Sequence, residues 1–106
     1  MQNFKNYIGG QWVESSSGKT FENANPANYE EGIGNFPLAT ADDTRRAIEA
    51  ARNALEGWAN MPGPGRGMIL DKASQLLDAR KEEIAAALTT EEGKTLAEAR
   101  GEVMRA

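Results

Sequence analysis

Alternating apolar and polar residues in the first part of the chain predict β-structure. Residues 6–13, interrupted by a Gly-Gly pair, form one such run, and residues 19–24 form a second after a Ser/Gly cluster at residues 15–18. This order predicts a β-hairpin with a loop of about four to five residues. Pro26 is expected to end the second strand because proline cannot donate a ladder hydrogen bond. Residues 33–38 are predicted as a third, short strand.

Apolar residues recur at helical spacing from Thr40 onward. A helix is predicted over residues 40–60, where Thr40 and Asp43 have the spacing of a capping pair and acids complement the helix dipole. A Pro/Gly-rich break at residues 61–65 separates it from a second helix over residues 66–92. The main apolar positions of these helices are Ala47, Ile48, Ala51, Leu55, Trp58, Ile69, Ala73, Leu76, Leu77, Ile84, Ala87 and Leu88.

A third helix is predicted over residues 95–106. Gly93 is placed to end the preceding helix in the left-handed conformation, and Thr95 with Glu98 forms a capping box at the next start. No Gly, Asn or Pro marks a stop after Val103. A self-contained domain seldom ends inside an apolar-periodic segment, so we expect the chain to be the front piece of a longer protein.

The composition is that of a globular protein without a nucleic-acid or membrane partner. The 106 residues leave room for one domain with a modest core, and 40% apolar and 26% charged residues are ordinary proportions. A net charge of −4 argues against nucleic-acid binding, which depends on clustered Lys and Arg. No run of about 20 apolar residues could span a membrane. No signal peptide begins the chain, so a cytoplasmic location is expected.

Two absent residue types limit the chemistry. The chain contains no Cys and no His, which excludes a thiolate nucleophile, a disulfide, sulfur-ligated metal and any Ser–His or Cys–His catalysis within these residues. Carboxylate, Lys, Tyr or Arg chemistry remains, or no chemistry at all. We assign no catalytic and no cofactor-binding residue to this chain.

Several motifs favour structural interpretations. The glycine-rich residues 63–67 follow a helix, and Pro64 lacks an N–H that a phosphate would need, so they are interpreted as a flexible connector. Trp12 and Trp58 are interpreted as core residues. Lys94 is interpreted as neutralising helix-end carbonyls, in preference to anchoring a substrate or phosphate. Three pairs of neighbouring acids are interpreted as solvated faces or complements of helix dipoles, in preference to paired catalytic carboxylates. They are Glu30-Glu31, Asp42-Asp43 and Glu82-Glu83.

Short sequence motifs follow one another in a fixed order along nearly the whole chain. They are residues 7–14, 25–27, 37–43, 47–52, Trp58, Arg66, residues 69–70, 72–73, 76–77 and 92–99. In this order they resemble the N-terminal region of the aldehyde dehydrogenase superfamily. The resemblance implies an α/β fold with a Rossmann-type cofactor domain, of which residues 1–106 would be the N-terminal part. That part would comprise a β-hairpin and turns over residues 1–38 followed by the three helices predicted above.

The resemblance also implies an activity. Members oxidise an aldehyde to a carboxylic acid with NAD or NADP: a cysteine thiolate attacks the carbonyl to form a thiohemiacetal, and hydride passes to the nicotinamide. The family's catalytic and cofactor-binding motifs match no position here, so the fragment is expected to be inactive and to hold no cofactor by itself. The full-length enzyme is expected to act on an aldehyde as a homo-oligomer. The turn at residues 28–32 resembles the branch that oxidises 2-oxoglutarate semialdehyde and related semialdehydes.

One family site falls inside this segment. Some members bind a structural Na⁺ or K⁺ through a backbone carbonyl before the Asn-Pro motif and a residue before the Gly-Lys motif. The corresponding positions are Ala24 and Glu91, and oxygen ligands of this kind suit a hard cation. An unoccupied surface carboxylate is the alternative interpretation of Glu91. For the chain as a whole, the alternative function is a free-standing helical protein-interaction module without catalysis.

Overall fold

The computed structural model describes all 106 residues as four strands and four helices. They are β1 (Asn6–Ile8), β2 (Gln11–Val13), β3 (Thr20–Asn25), β4 (Asn28–Pro37), α1 (Ala41–Asn60), α2 (Gly63–Ala79), α3 (Lys81–Glu92) and α4 (Leu96–Arg105). The chain divides into two compact units, one comprising residues 1–23 and 32–60, the other residues 24–31 and 61–106. None of the helices combines the length and apolar character that crossing a membrane requires.

The first hairpin joins β1 to β2 directly, so the predicted pairing of residues 6–13 with residues 19–24 is wrong. The strands are antiparallel, with Tyr7 opposite Trp12. Gly9 and Gly10 form the turn with φ of 58° and 79°, the two positive values that a two-residue hairpin turn matching the strand twist requires. The Gly-Gly pair, interpreted from the sequence as an interruption, is therefore the turn itself.

The second hairpin pairs β3 with β4. Strand β3 ends at Asn25, directly before Pro26, as the sequence predicts. The Asn25 side chain accepts a hydrogen bond of 2.9 Å from the N–H of Ala27, which stabilises the turn. The predicted short strand over residues 33–38 overlaps the second half of the ten-residue strand β4, and residues 28–32, interpreted from the sequence as a turn, form its first half.

Helix α1 begins where the sequence places it. The Thr40 N–H donates to the Asp43 carboxylate at 2.9 Å, and the Asp43 N–H donates to the Thr40 hydroxyl at 3.2 Å. These reciprocal bonds satisfy two backbone N–H groups, which helix starts leave without partners. The helix lies against β1, where a Cβ built on Gly9 would be 3.8 Å from the Ala50 Cβ.

The Asp43 carboxylate also joins α1 to the loop after β2. It accepts a hydrogen bond of 3.1 Å from the Ser16 N–H, lies 3.2 Å from the Ser15 hydroxyl oxygen and pairs with Arg46. Asp43 is only 2% exposed, and a buried carboxylate is tolerated when its oxygens are paired in this way. These bonds hold the pKa of the Asp43 carboxyl well below its usual range, and the bond from the Thr40 N–H contributes most. Burial opposes the shift.

In the second unit the single helix predicted over residues 66–92 is two helices. The first starts earlier than predicted, at Gly63, so the glycine-rich residues 63–67 are its first turns and not a flexible connector. The break falls at Arg80, with φ −107° and ψ 16°. Arg80 binds Glu83 through its guanidinium at 2.9 Å, and Glu82 and Glu83 in the first turn favour a helix start there. No Gly or Pro signals this break in the sequence.

The buried apolar core is small and lies between α3 and α4. Ala85 and Ala99 are fully buried and Val103 nearly so, with Ile84 and Leu88 packed against them. The predicted core role of the two tryptophans is wrong, since Trp12 is 68% and Trp58 39% exposed. The apolar stripe of α1 is largely exposed as well. Other exposed large apolar residues on the helices include Ile48, Leu55, Ile69, Leu70 and Leu76.

The Asp43 network generates a pH prediction. Its lowered pKa means that Asp43 stabilises the fold above its unfolded pKa of about 3.9, and that this contribution is lost as pH falls through the folded value. We expect Asp43→Asn to lower the thermal midpoint at pH 7 and to flatten the loss of stability below about pH 5. Asp42→Asn is the matched control, because Asp42 is exposed and bonds only to Arg45. This role would be contradicted if the thermal midpoints of Asp43→Asn and of the unsubstituted chain fell equally with decreasing pH below about pH 5.

Candidate functional site

The candidate site is the turn between α3 and α4, which contains the most distinctive sequence motif of the chain. Gly93 ends α3 with φ 74° and ψ 9°, and its N–H donates to the Thr89 carbonyl at 2.9 Å. This is the left-handed helix end that the sequence predicts, a conformation that a Cβ disfavours. The chain reverses here and starts α4 within a few residues.

A second reason for glycine at this position is its close contact with the tip of the β3–β4 hairpin. A Cβ on Gly93 would lie 3.1 Å from the Pro26 Cγ and 3.4 Å from the Ala27 N. The distance to Pro26 is tighter than an ordinary van der Waals contact. The Asn-Pro and Gly-Lys motifs, far apart in the sequence, therefore meet in the second unit.

Thr95 caps the start of α4 as predicted. Its hydroxyl accepts the Glu98 N–H at 3.3 Å, and the Glu98 carboxylate accepts the Thr95 N–H at 3.1 Å. The Thr95 hydroxyl also donates to the Glu98 carboxylate at 2.9 Å. Hydrogen bonds from this hydroxyl and from the Thr95 backbone lower the pKa of Glu98. The reciprocal capping box fixes the direction in which α4 leaves the turn.

Lys94 pairs with two carboxylates, and not with the helix-end carbonyls that the sequence predicts as its partners. Its ammonium lies 2.5 Å from a carboxylate oxygen of Glu102 and 2.5 Å from one of Glu92, with 19% of the side chain exposed. The bonds to Glu102 and then Glu92 raise the pKa of Lys94. Lys94 therefore joins the end of α3 to the middle of α4. Sequence reasoning missed Glu102 because this pairing depends on the angle at which α4 leaves the turn.

The predicted cation ligands lie on the two segments that meet at this turn. Ala24 is half-buried near the end of β3, two positions before Pro26, and Glu91 is exposed in the last turn of α3, two positions before Gly93. The contact between Pro26 and Gly93 brings the two segments together. No group of three or more His, Cys, Asp or Glu side chains is arranged to hold a metal ion. Any cation here would depend mainly on backbone carbonyls and a single carboxylate.

The glycine-rich start of α2 lacks the backbone donors of a phosphate-binding helix entry. This start, the chain's only glycine-rich helix entry, carries Pro62 and Pro64, which offer no N–H to a phosphate. A cleft of about 600 Å³ beside the α3–α4 turn mixes opposite charges along its wall. Its lining residues are Lys94, Ala97, Glu98, Gly101, Glu102 and Arg105. Lys94 in this wall is already paired with Glu92 and Glu102, which leaves its ammonium no open side for a phosphate.

The sequence of the chain matches that of a known family over most of its length. Residues 12–106 match the aldehyde dehydrogenase family. The matched region extends from the second residue of β2 through α4 and includes the whole α3–α4 turn. The chain therefore belongs to the aldehyde dehydrogenase family.

Individual relatives refine this assignment. The chain is 47% identical over 102 residues to an alpha-ketoglutarate semialdehyde dehydrogenase of Haloferax volcanii, covering 96% of this chain and 21% of the relative. It is 47% identical over 105 residues to malonate-semialdehyde dehydrogenase 2 of Oceanobacillus iheyensis, covering 99% of this chain and 21% of the relative. The chain thus spans about a fifth of the length of these curated relatives.

The fold is shared with a solved member of the family. The crystal structure of an NAD-dependent aldehyde dehydrogenase from Sinorhizobium meliloti superimposes with a TM-score of 0.91 at 36% identity. The superposition covers 97% of this chain and 21% of that one. The chain therefore shares its fold with the corresponding fifth of that enzyme.

The turn generates a stability prediction. We expect Gly93→Ala to destabilise the fold by at least about 1 kcal/mol, because a Cβ disfavours the left-handed conformation. The close Pro26 contact adds to this cost. The matched control is Gly57→Ala in α1, where a Cβ would meet nothing within 4 Å and should stabilise the helix by up to about 1 kcal/mol. Denaturant midpoints measure both, and a neutral Gly93→Ala would show that this turn tolerates a Cβ.

Proposed function

We propose that this chain provides the opening segment of the cofactor-binding domain of an NAD(P)-dependent aldehyde dehydrogenase. The enzyme would oxidise an aldehyde or semialdehyde to its carboxylic acid through a cysteine thiohemiacetal. The observation that carries the proposal is the continuous match of residues 12–106 to the family. The similarity to relatives of which the chain spans 21% supports a role as one part of such an enzyme.

The chemistry would come from elsewhere in such an enzyme. The chain has no Cys and no His, so it contains neither the family's nucleophile nor a histidine base. Its role would be architectural: it would support the cofactor-binding sheet and fix the position of the segments that follow α4. The α3–α4 turn supports this role because it gives α4 a defined direction. The turn is fixed by the left-handed Gly93, the capping box and the ion pairs of Lys94.

A semialdehyde carrying a carboxylate is the proposed substrate class. The names of both relatives describe the oxidation of such a compound, α-ketoglutarate semialdehyde in one case and malonate semialdehyde in the other. The solved relative is NAD-dependent, and we propose NAD or NADP as the hydride acceptor. The semialdehyde and the nicotinamide cofactor would both be bound by residues outside this chain, in a homo-oligomeric enzyme.

The exposed apolar residues of the helices favour this proposal over the alternative of a free-standing interaction module. Ile48, Leu55 and Trp58 lie on one side of α1 with much of their surface in water. Apolar patches of this kind mark surfaces that another structure covers. A sheet built by the remainder of a dehydrogenase is the proposed cover. A module that functions alone would instead unfold cooperatively as a monomer and bind no hydrophobic dye.

A chimeric enzyme tests the proposed function. The segment of the Haloferax volcanii relative that aligns with this chain is replaced by residues 1–106, and the oxidation of α-ketoglutarate semialdehyde is followed by NAD(P)H absorbance. We expect an assembled enzyme that loses no more than about tenfold in kcat/KM, equivalent to about 1.4 kcal/mol. The 106-residue chain alone should show no turnover.

The apolar face of α1 provides a matched pair of control variants. Leu55→Glu in the chimera should abolish assembly and activity, because a charge would replace a side chain expected to be covered. Glu56→Gln, on the neighbouring exposed position, should preserve both. The proposal is contradicted by a soluble, correctly assembled chimera without turnover, or by activity of the 106-residue chain alone.

We further propose that the Ala24 carbonyl and the Glu91 carboxylate contribute to a monovalent cation site. The Pro26–Gly93 contact supports it by holding their segments together. We expect Na⁺ or K⁺, titrated at constant ionic strength against a bulky organic cation, to raise the unfolding midpoint of the chimera. Glu91→Gln should remove this rise and Glu92→Gln should keep it. A midpoint that responds equally in both variants would exclude Glu91 as a ligand.

A further inference from the structure

The N-terminal segment of the chain pairs with the outer edge of β4. Residues 2–4, here named the N-terminal strap, run parallel to this edge through a bridge between Asn3 and Asn35. The Phe4 N–H donates to the Asn35 carbonyl and the Asn35 N–H donates to the Gln2 carbonyl, both at 2.9 Å. The Asn35 side-chain amide donates to the Asn3 side chain at 3.0 Å. The opposite edge of β4 is occupied by β3.

The strap lies unusually close to β4 because a buried glycine faces it. A Cβ on Gly34 would lie 2.6 Å from the Phe4 ring and 2.7 Å from the Gln2 carbonyl oxygen. The second of these atoms belongs to the backbone, so it cannot move aside as a flexible side chain could. An alanine at this position is therefore incompatible with the bound strap. Gly34 allows the close approach that the strap requires.

An aromatic stack completes the contact. The Phe4 and Phe36 rings are 4.5 Å apart between centroids and nearly parallel, at 10°. Phe36 in turn lies 5.9 Å from Phe21 on β3. Residues 32–36 of β4, here named the acceptor edge, thus offer backbone partners, a glycine surface and an aromatic ring to one extended segment. This combination is the usual basis of β-strand addition, in which backbone bonds provide affinity and side-chain pockets provide specificity.

We propose that the acceptor edge is a strand-docking site for the N-terminal strap of a second copy of this chain. Each copy carries both the strap and the edge that receives it, so exchange would reproduce every contact seen within one chain. The strap is joined to β1 by Lys5 alone, whose only ion pair is an exposed one with Glu14 at 3.4 Å. A short exposed connection of this kind is the usual hinge of an exchanged segment.

The intramolecular arrangement dominates in dilute solution. A tethered strap has an effective concentration on the order of millimolar at its own edge, so exchange requires a comparable concentration of chains or a weakened intramolecular contact. Exchange would form a two-fold symmetric pair, since each copy would both donate and receive a strap. This pairing is separate from the proposed enzymatic function and does not depend on it.

Two complementary single substitutions test the exchange. Gly34→Ala blocks the acceptor edge but leaves an intact strap, which is then free. Phe4→Ala weakens the chain's own strap but leaves the edge intact. Isotope-labelled Phe4→Ala chain is mixed with unlabelled Gly34→Ala chain, and the Asn35 amide and Phe36 ring signals are followed by NMR. We expect saturable shifts confined to residues 32–36 and Phe21, with the Asn35 amide protected from hydrogen exchange in the mixture.

Two control donors make the outcome specific. The double variant Gly34→Ala/Phe4→Ala should bind about tenfold more weakly, as expected for the loss of an aromatic pair. Gly57→Ala, whose strap remains bound to its own edge, should cause no shift at equal concentration. The proposal is overturned if the mixture leaves Asn35 unchanged at millimolar chain, or if all donors act alike. Should Phe4→Ala fail to fold, a chain lacking residues 1–4 serves as acceptor under the same criteria.

Discussion

The buried carboxylate of Asp43 is the interaction on which the first unit depends. That unit has no buried apolar side chain, and its two buried side chains are Ser15 and Asp43. The loop after β2, the end of β4 and the start of α1 converge on these two polar groups instead of on a hydrophobic core. A buried charge with one partner missing is strongly unfavourable, so each donor to Asp43 also fixes the position of the segment that carries it. Polar geometry thus performs the organising role that apolar packing has in larger domains.

The second unit is organised by a small apolar core and a fixed turn, and not by a buried charge. Its core consists of a few small and branched residues between α3 and α4, and the turn joining these helices is fixed by Gly93, the capping box and the Lys94 pairs. Both units therefore have well-defined turns and sparsely buried helices. This combination supports the proposed role of the chain as one part of a larger aldehyde dehydrogenase.

The sequence predicts those features that depend on neighbouring residues. The start of α1 at Thr40 and the Gly93–Thr95 turn are both determined by contacts between a side chain and nearby backbone, so their spacing is visible in the sequence. The prediction of the first hairpin is wrong because its strands are too short to show a periodic pattern. The Ser/Gly cluster also has the composition of a hairpin loop, as the Gly-Gly pair does. The break at Arg80 carries no Gly or Pro. The exposure of Trp58 does not follow from the sequence, because helical spacing shows which face of α1 is apolar but not whether that face is covered.

The assignment of residues to the two units has a consequence for the order of folding. Contacts between α3 and α4 join adjacent elements, whereas the Pro26–Gly93 contact joins parts of the chain separated by α1, α2 and α3. Local contacts form quickly, and long-range contacts must first offset the entropy of closing a loop. As the chain emerges from the ribosome, Asp43 can meet Ser15 early, while the hairpin tip must wait for Gly93. During that interval the hairpin tip is exposed to incorrect strand pairing or to a chaperone.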